Sequence, residues 1–288
     1  MPDTKERLAP AKVNLGLHVM RRRPDGFHDV ETVMVPIGWS DLLVAAPASG
    51  FVFTCSDPAL PTDETNLVVR AAKLLANRLA TDLDLAIHLA KRVPYGSGLG
   101  GGSSDAVATL LLLMDTLGSA LPPPELADLA TELGSDVPFF LQQNAALATG
   151  RGEVVSPLNT PEGKPYRMPY DMVVAVPPVY VSTAAAYSIV KPTERDRPDL
   201  ASLVLTNDLA EWRSHLVNDF EVAILAREPI VDHAKQRLLD AGAGYAALSG
   251  SGSAVFGVFE NRSDAHQAAS SLRDGGCRVW IEHGAPIL

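Results

Sequence analysis

Along residues 11–19, Val13, Leu15, Leu17 and Val19 alternate with Lys12, Asn14, Gly16 and His18. A period of two puts the apolar set on one face, so this segment predicts a half-buried strand. Pro24-Asp25-Gly26 is a turn signal, and residues 30–37 predict a returning strand, making a hairpin. The period changes over residues 66–80, where Leu67, Ala71, Leu74 and Leu75 share one stripe and predict a helix. Leu83, Leu85, Ile87 and Leu89 alternate again, predicting a strand that runs toward Pro94. A glycine-rich loop follows over 96–102, then a helix over 103–117, stopped by Gly118. Pro122-Pro123-Pro124 leads into a further helix over 125–133.

Residues 156–169 are rich in Pro, Gly and polar side chains and read as a domain connection. Beyond them the pattern predicts a strand at 172–176, helical material between 183 and 240, and a short strand at 245–248. Ser249-Gly250-Ser251-Gly252-Ser253 then leads into a strand at 254–259, a helix at 263–273 and a last strand at 278–282. That order fits a small βα–ββαβ layer. The division expected is 1–157 for an N-terminal domain and 158–288 for a C-terminal one. No internal repeat interrupts it.

Composition narrows the class. Of 288 residues 47% are apolar and 20% charged, so a sizeable core is expected and global disorder is excluded. The net charge of −10 disfavours a nucleic acid polymer as partner. The longest apolar stretch, residues 106–114, falls well short of the roughly 20 needed to span a membrane. The start, Met1-Pro2-Asp3-Thr4-Lys5-Glu6-Arg7, mixes charges and lacks the apolar segment of a secretory signal. Cys55 and Cys277 have no metal-type spacing and read as inert thiols of a cytoplasmic protein.

The glycines change this picture by where they fall. Five stand in Gly96 to Gly102, and five more in Gly242 to Gly257. In Pro94-Tyr95-Gly96-Ser97-Gly98-Leu99-Gly100-Gly101-Gly102-Ser103-Ser104 they allow tight turns and remove the Cβ atoms that would hold a ligand away. The loop opens into a helix, whose free first amides and dipole favour phosphate. Ser103 and Ser104 add hydroxyls, as helix caps or as ligands to phosphate or a metal ion. A Walker loop is excluded, because no Lys or Arg occurs between Arg92 and Ser104. Gly96-x-Gly98-x-x-Gly101 matches the dinucleotide fingerprint in form, but no second strand with an acidic end follows. A nicotinamide-dependent dehydrogenase therefore stands only as an alternative. The protein-kinase loop lacks its Val-Ala-Ile-Lys strand here.

Other residues are ambiguous taken singly. Gly250-Ser251-Gly252-Ser253 reads equally as a hairpin turn or a second backbone surface near the phosphates. Lys12 on a strand reads as a solvated lysine, and Asp136 reads as an N-cap before a helix starting near Pro138. Arg21-Arg22-Arg23 reads as a solvated loop face.

Three segments together resemble the superfamily of galactokinase, homoserine kinase, mevalonate kinase and phosphomevalonate kinase. They are Pro10-Ala11-Lys12-Val13-Asn14-Leu15, the loop from Pro94 to Ser104, and Leu248-Ser249-Gly250-Ser251-Gly252. Asp25-Gly26-Phe27-His28, Thr65-Asn66-Leu67-Val68-Val69-Arg70-Ala71 and Leu133-Gly134-Ser135-Asp136-Val137-Pro138 make the chain similar to one branch. Its members phosphorylate a cytidine-diphosphate-linked sugar alcohol on a non-mevalonate route to isoprenoid precursors.

The resemblance implies an α+β, two-domain small-molecule kinase fold. Its N-terminal ribosomal-protein-like α/β domain and its C-terminal ferredoxin-like domain would flank an active-site cleft. It implies ATP as phosphoryl donor, with Lys12 and Asp136 as catalytic pair. ATP would meet Asn66 and the loop residues Pro94, Tyr95, Gly96, Ser97, Gly98, Leu99, Gly100, Gly101, Gly102, Ser103 and Ser104. Phe27, His28 and Tyr187 would grip the cytosine, and Asn14 and Thr183 the rest of the substrate. Many relatives carry Tyr where this chain has Phe27, so one hydroxyl contact is lost. The glutamate with which some members hold Mg²⁺ has no counterpart, so the ion is expected to be held mainly through phosphates, a serine hydroxyl and water. A monomer or weak homodimer is expected. A sister kinase acting on homoserine or a mevalonate derivative, and a silent sensor on the same fold, are the nearer alternatives.

Overall fold

The computed structural model describes residues 4–142, 144–193 and 197–285. The first three residues of the charged start therefore lie outside the described part. The chain groups into two compact units, one taking in residues 1–11, 38–95 and 100–143, the other 12–37, 96–99 and 144–288.

In chain order the elements are β1 (Lys5–Arg22), β2 (His28–Pro47), β3 (Val52–Cys55), α1 (Leu67–Leu79), β4 (Leu85–Ala90), α2 (Gly101–Leu117) and α3 (Pro123–Leu133). A 3₁₀ turn at Pro138–Leu141 precedes β5 (Ala146–Thr149), β6 (Val154–Pro157) and β7 (Asp171–Val176). Then come α4 (Thr183–Ile189), α5 (Leu200–Leu205), α6 (Leu209–His215), α7 (Glu221–Arg227) and α8 (Pro229–Asp240). The chain closes with β8 (Tyr245–Leu248), β9 (Val255–Phe259), α9 (Arg262–Asp274) and β10 (Arg278–Glu282). β1 pairs with β2.

In the first unit, the later half of β2 runs antiparallel to β4, with Leu42 opposite Ala90. β4 pairs in parallel with β3, Val52 opposite Ala86. α1, α2 and α3 pack on one another. α1 buries Val68, Val69, Ala71, Ala72 and Leu75, so of the predicted stripe Ala71 and Leu75 are buried while Leu67 and Leu74 are half-buried, and the buried face is rotated toward Val68 and Ala72. α2 is buried without a break from Ser104 to Leu110, the polar Ser104, Asp105 and Thr109 included, rather than along one stripe.

In the second unit, the earlier half of β2 pairs with β5, Thr32 opposite Ala148, and β5 pairs with β6. A separate antiparallel sheet has the order β10-β7-β9-β8. Its interior strand β7 is buried at all six positions, as a strand covered on both faces must be. α8 and α9 pack on this sheet. An antiparallel sheet with helices on it, in this order, is the ferredoxin-like layer.

One reading is corrected, and three strands are added. β1 is not half-buried: its polar positions Lys12, Asn14 and His18 are as buried as its apolar ones. Alternation revealed the strand, but not that both faces are covered. The short strands β3, β5 and β6 carry too few residues for a period to register.

His18 is fully buried, and neither ring nitrogen has a hydrogen-bond partner among the described residues. Burial, and next the Arg197 guanidinium, push its pKa below the ordinary histidine value, against an upward pull from Asp219. The Glu31 carboxylate lies 4.0 Å from Nδ1. A ring held neutral in the fold stabilises it above the unfolded pKa of about 6.5 and loses that contribution as pH falls below it. Stability should therefore drop below pH ~6.5, with at most about 1.4 kcal/mol per pH unit coming from this ring. Urea unfolding at a series of pH values checks this: His18→Gln should flatten the acid limb, and an unchanged limb refutes the assignment.

Candidate active site

The glycine-rich loop leaves β4 through Lys91, Arg92 and Val93. Gly96, Gly98 and Gly100 all have positive φ, at 65°, 82° and 70°. The need for glycine is sharpest at Gly98, where an added Cβ would stand 2.1 Å from the carbonyl oxygen of Ser249. At Gly96 a Cβ would meet the Tyr180 ring at 2.4 Å. Gly100 is the N-cap of α2 and supplies no side-chain cap. Neither serine holds that cap position. Ser104 Oγ is buried and has no partner among the described residues. A serine hydroxyl left unsatisfied at a helix start costs stability unless something else meets it.

In the second unit, residues 96–99 pack on the second glycine cluster. Ala254 N–H donates to Ser97 O at 2.9 Å, and Ser249 Oγ donates to Gly98 O at 3.2 Å. A Cβ on Gly250 would lie 3.2 Å from Gly98 O. The 250–253 turn is thus a backbone surface against residues 96–99 of the first loop, which the hairpin reading alone did not require. Asn218 holds it in place, its Nδ2 donating to Leu248 O and Gly250 O at 2.9 Å each.

Lys12 is 2% exposed, so the solvated-lysine reading is corrected. Its Nζ donates to Asn14 Oδ1 at 2.6 Å and to Gly98 O at 3.0 Å. Its backbone N–H donates to Leu99 O at 3.0 Å. Asn14 Nδ2 donates in turn to Thr32 Oγ1 at 3.0 Å, and Thr32 Oγ1 donates to Gly16 O at 2.6 Å. The order Lys12, Asn14, Thr32 fixes an ammonium beside the loop carbonyl.

Phe27, His28, Tyr187 and Thr183 belong to the same unit. Phe27 is 52% exposed, an open aromatic face, and the Arg151 guanidinium lies 4.9 Å from its centroid. His28 stacks on Tyr187 with centroids 5.1 Å apart, and Tyr187 meets Phe220 edge-on. Burial and then Arg22 lower the His28 pKa, favouring the neutral ring. Thr183 Oγ1 is 3.1 Å from Ser251 Oγ, in the second glycine turn.

Besides Pro94, Tyr95 and residues 100–104, the expected residues Asp136 and Asn66 lie in the first unit. Asp136 sits half-buried in the turn before Pro138. Val137, not Asp136, occupies the cap position of the 3₁₀ turn, and no side chain caps it. The N-cap reading is therefore corrected. Asn66 caps α1, accepting from Val68 N at 2.9 Å, while its Nδ2 donates to Pro61 O.

A buried charged group went unnoticed in the sequence. Lys91 Nζ lies 2.5 Å from Asp41 Oδ2 and 2.7 Å from Asp105 Oδ2. Burial first, and the Asp41 carboxylate, push the Asp105 pKa up to about 7, although Lys91 pulls it down. Lys91 and Asp105 lie three residues before Pro94 and one after Ser104; the signal was their place at the loop's two flanks.

These features fit an anionic ligand bearing a divalent ion. The loop has room only while it lacks Cβ atoms, and Ser104 Oγ has no partner among the described residues. No group of three or more His, Cys, Asp or Glu side chains among the described residues could hold a metal by itself. A hydrated ion held by phosphates and one hydroxyl matches what Mg²⁺ prefers.

Two family models match, the GHMP kinases N terminal domain over residues 66–144 and the GHMP kinases C terminal over 200–276. A 4-diphosphocytidyl-2-C-methyl-D-erythritol kinase of Salinibacter ruber is 50% identical over 95% of this chain and 96% of its own. The enzyme of that name from Chlorobium limicola is 43% identical over 94% of each. A crystal structure of 4-(cytidine 5'-diphospho)-2C-methyl-D-erythritol kinase superposes with a TM-score of 0.80 at 37% identity, covering 96% of this chain and 98% of its own. Homoserine kinase from Cytophaga hutchinsonii, 21% identical with a TM-score of 0.73 over 99% and 96% of the two chains, shares the fold. With both family models matched and half of the positions shared across nearly its whole length, the chain belongs to the GHMP kinase family.

Proposed function

We propose that the chain catalyses ATP-dependent phosphorylation of the 2-hydroxyl of 4-diphosphocytidyl-2-C-methyl-D-erythritol. The observation that carries this reading is the extent of the likeness, 50% identity over 95% of the chain to a kinase of that name. The site residues support it with chemistry. Phosphoryl transfer calls for positioning and charge neutralisation more than covalent participation. The amides of the glycine-rich loop and the first turn of α2 hold phosphate oxygens. Lys12 neutralises charge on the transferring group. Asp136 accepts the hydroxyl proton as the substrate oxygen bonds to the γ-phosphorus. The bond from that phosphorus to the bridging oxygen breaks, and ADP leaves. Mg²⁺, when bound, offsets phosphate charge, with Ser104 Oγ as its protein ligand or that of a phosphate.

The open face of Phe27 stacks on the cytosine, with His28 and Tyr187 beside it. Asn14 and Thr183 serve the remainder of the substrate, and Asn66 borders the nucleotide. Catalytic and nucleotide-binding groups are assigned to residues 1–157 and a ferredoxin-like portion to 158–288, in a cytoplasmic monomer or weak homodimer.

An ADP-release assay tests the reading. Turnover is expected with the cytidyl substrate and Mg²⁺, and at least 100-fold less with homoserine or mevalonate. Equal turnover of a substrate lacking the cytidyl group overturns the assignment, as does tight NADH binding without ATP binding.

A further inference from the structure

We propose that Lys91, Asp41 and Asp105 form a charged clamp joining the two flanks of the glycine-rich loop, which sets the spacing at which the loop amides meet the nucleotide phosphates. The proposal rests on the ATP-dependent reading above and adds positioning residues to it.

The incoming flank is held through Asp41. Its Oδ1 accepts the backbone N–H groups of Arg92 and Val93, the residues just before Pro94. The backbone N–H of Lys91 itself donates to Ser56 Oγ at 2.8 Å. The outgoing flank is held through Asp105, in the first turns of α2 and next to Ser104. The Lys91 ammonium bridges the two carboxylates at 2.5 and 2.7 Å. Gly101 lets the helix come this close, since a Cβ there would stand 3.1 Å from Nζ.

All three charged side chains are at most 4% exposed. Burying one cation with two carboxylates is costly, and apolar residues of similar volume usually serve stability as well or better. What an apolar cluster would not do is fix direction. Here the Lys91 bonds tie residues 92–93 to residue 105 across the span that carries the phosphate-binding amides. Asp105 Oδ1, buried and without a partner among the described residues, marks α2 as the less tightly held side.

The test uses the full chain and compares ATP, ADP and adenosine by direct titration, alongside steady-state KM values for ATP and the cytidyl substrate. Lys91→Met would strand two buried carboxylates, so the variant of choice is Asp105→Ala, which leaves Lys91 paired with Asp41. It is expected to raise the ATP KM at least tenfold and to weaken ATP and ADP binding alike. Adenosine affinity and the KM for the cytidyl substrate should stay within twofold. Asp105→Asn, which keeps an oxygen for Lys91, should return ATP binding to within threefold of wild type. If Asp105→Ala does not fold, Asp105→Ser carries the same expectation, since its side chain is too short to reach Lys91. An unchanged ATP KM in a folded Ala or Ser variant overturns the clamp. So does an equal loss for ATP and adenosine, or an Asn variant as weak as Ala. Failure of the wild-type chain to bind ATP overturns the underlying function instead, and the clamp with it.

Discussion

Asp136→Asn should lower kcat by about 10²–10⁴ while nucleotide affinity stays within a few-fold of wild type. Removing a positioned proton acceptor from a transfer step costs about that factor, or ~3–5 kcal/mol in the barrier. Asparagine keeps the shape of the side chain but loses the negative charge and, with it, the ability to take the proton. Asp136 is half-buried in a turn and provides no helix cap, and the turn's own bond runs from Val137 N to Gly134 O. A loss of kcat without a comparable fall in melting temperature or ATP affinity therefore reads as chemistry. Single-turnover kinetics of the purified variant settle it: full turnover removes Asp136 from the mechanism. A large rise in KM for ATP with kcat preserved would make it a binding residue instead.

How far the sequence reached depends on which physical signal each element carries. Helix α1 was legible by its period, although its buried face includes Val68 and Ala72 rather than Leu67 and Leu74, and the cap that Asn66 provides was not read. β8 and β10 were legible to the residue, since short apolar runs bounded by turn residues leave little freedom. β1 was legible as a strand but not in its burial. Lys12 and Asn14 look solvent-facing in an alternating pattern, but chain segments distant in sequence, around 32, 98 and 250, cover them. Sequence-local reasoning has no access to such partners, so Lys12 carried no weight until the resemblance supplied it. The Lys91 group escaped for the same reason. Asp41, Lys91 and Asp105 are spread over 65 positions, and each alone resembles an ordinary surface charge. The glycine-rich loop was the opposite case, because its requirement is written in backbone permission rather than in distant contacts. Its consequence for the second glycine cluster still needed three dimensions.

That consequence supports the other large effect, expected for Gly98→Ala. Gly98 has φ of +82°, where an L side chain costs roughly 1–2 kcal/mol. The new Cβ would also stand 2.1 Å from Ser249 O and 3.1 Å from Gly252 N, and both are backbone atoms. A flexible side chain can swing aside, but these atoms are tied into the turn by Gly252 N donating to Ser249 O at 3.0 Å and Ser249 N donating to Ala254 O at 2.8 Å. Relief must come from moving residues 96–99 away from 249–252. That displaces Gly98 O, the acceptor for both Lys12 Nζ and Ser249 Oγ. Overpacking of this kind adds about 1–3 kcal/mol, for a total of roughly 2–5 kcal/mol of lost stability. Misplacing a reacting group by about 1 Å can cost 10²-fold in rate, so kcat should fall by about that factor even in molecules that remain folded. Gly276→Ala is the control. Gly276 has φ of +81° but nothing within 4 Å of the added Cβ, so it bears the backbone strain alone. Thermal unfolding and kcat measured on both variants separate strain from collision. If Gly98→Ala melts like Gly276→Ala and keeps kcat within twofold of wild type, the close approach of the two glycine turns does not govern the site.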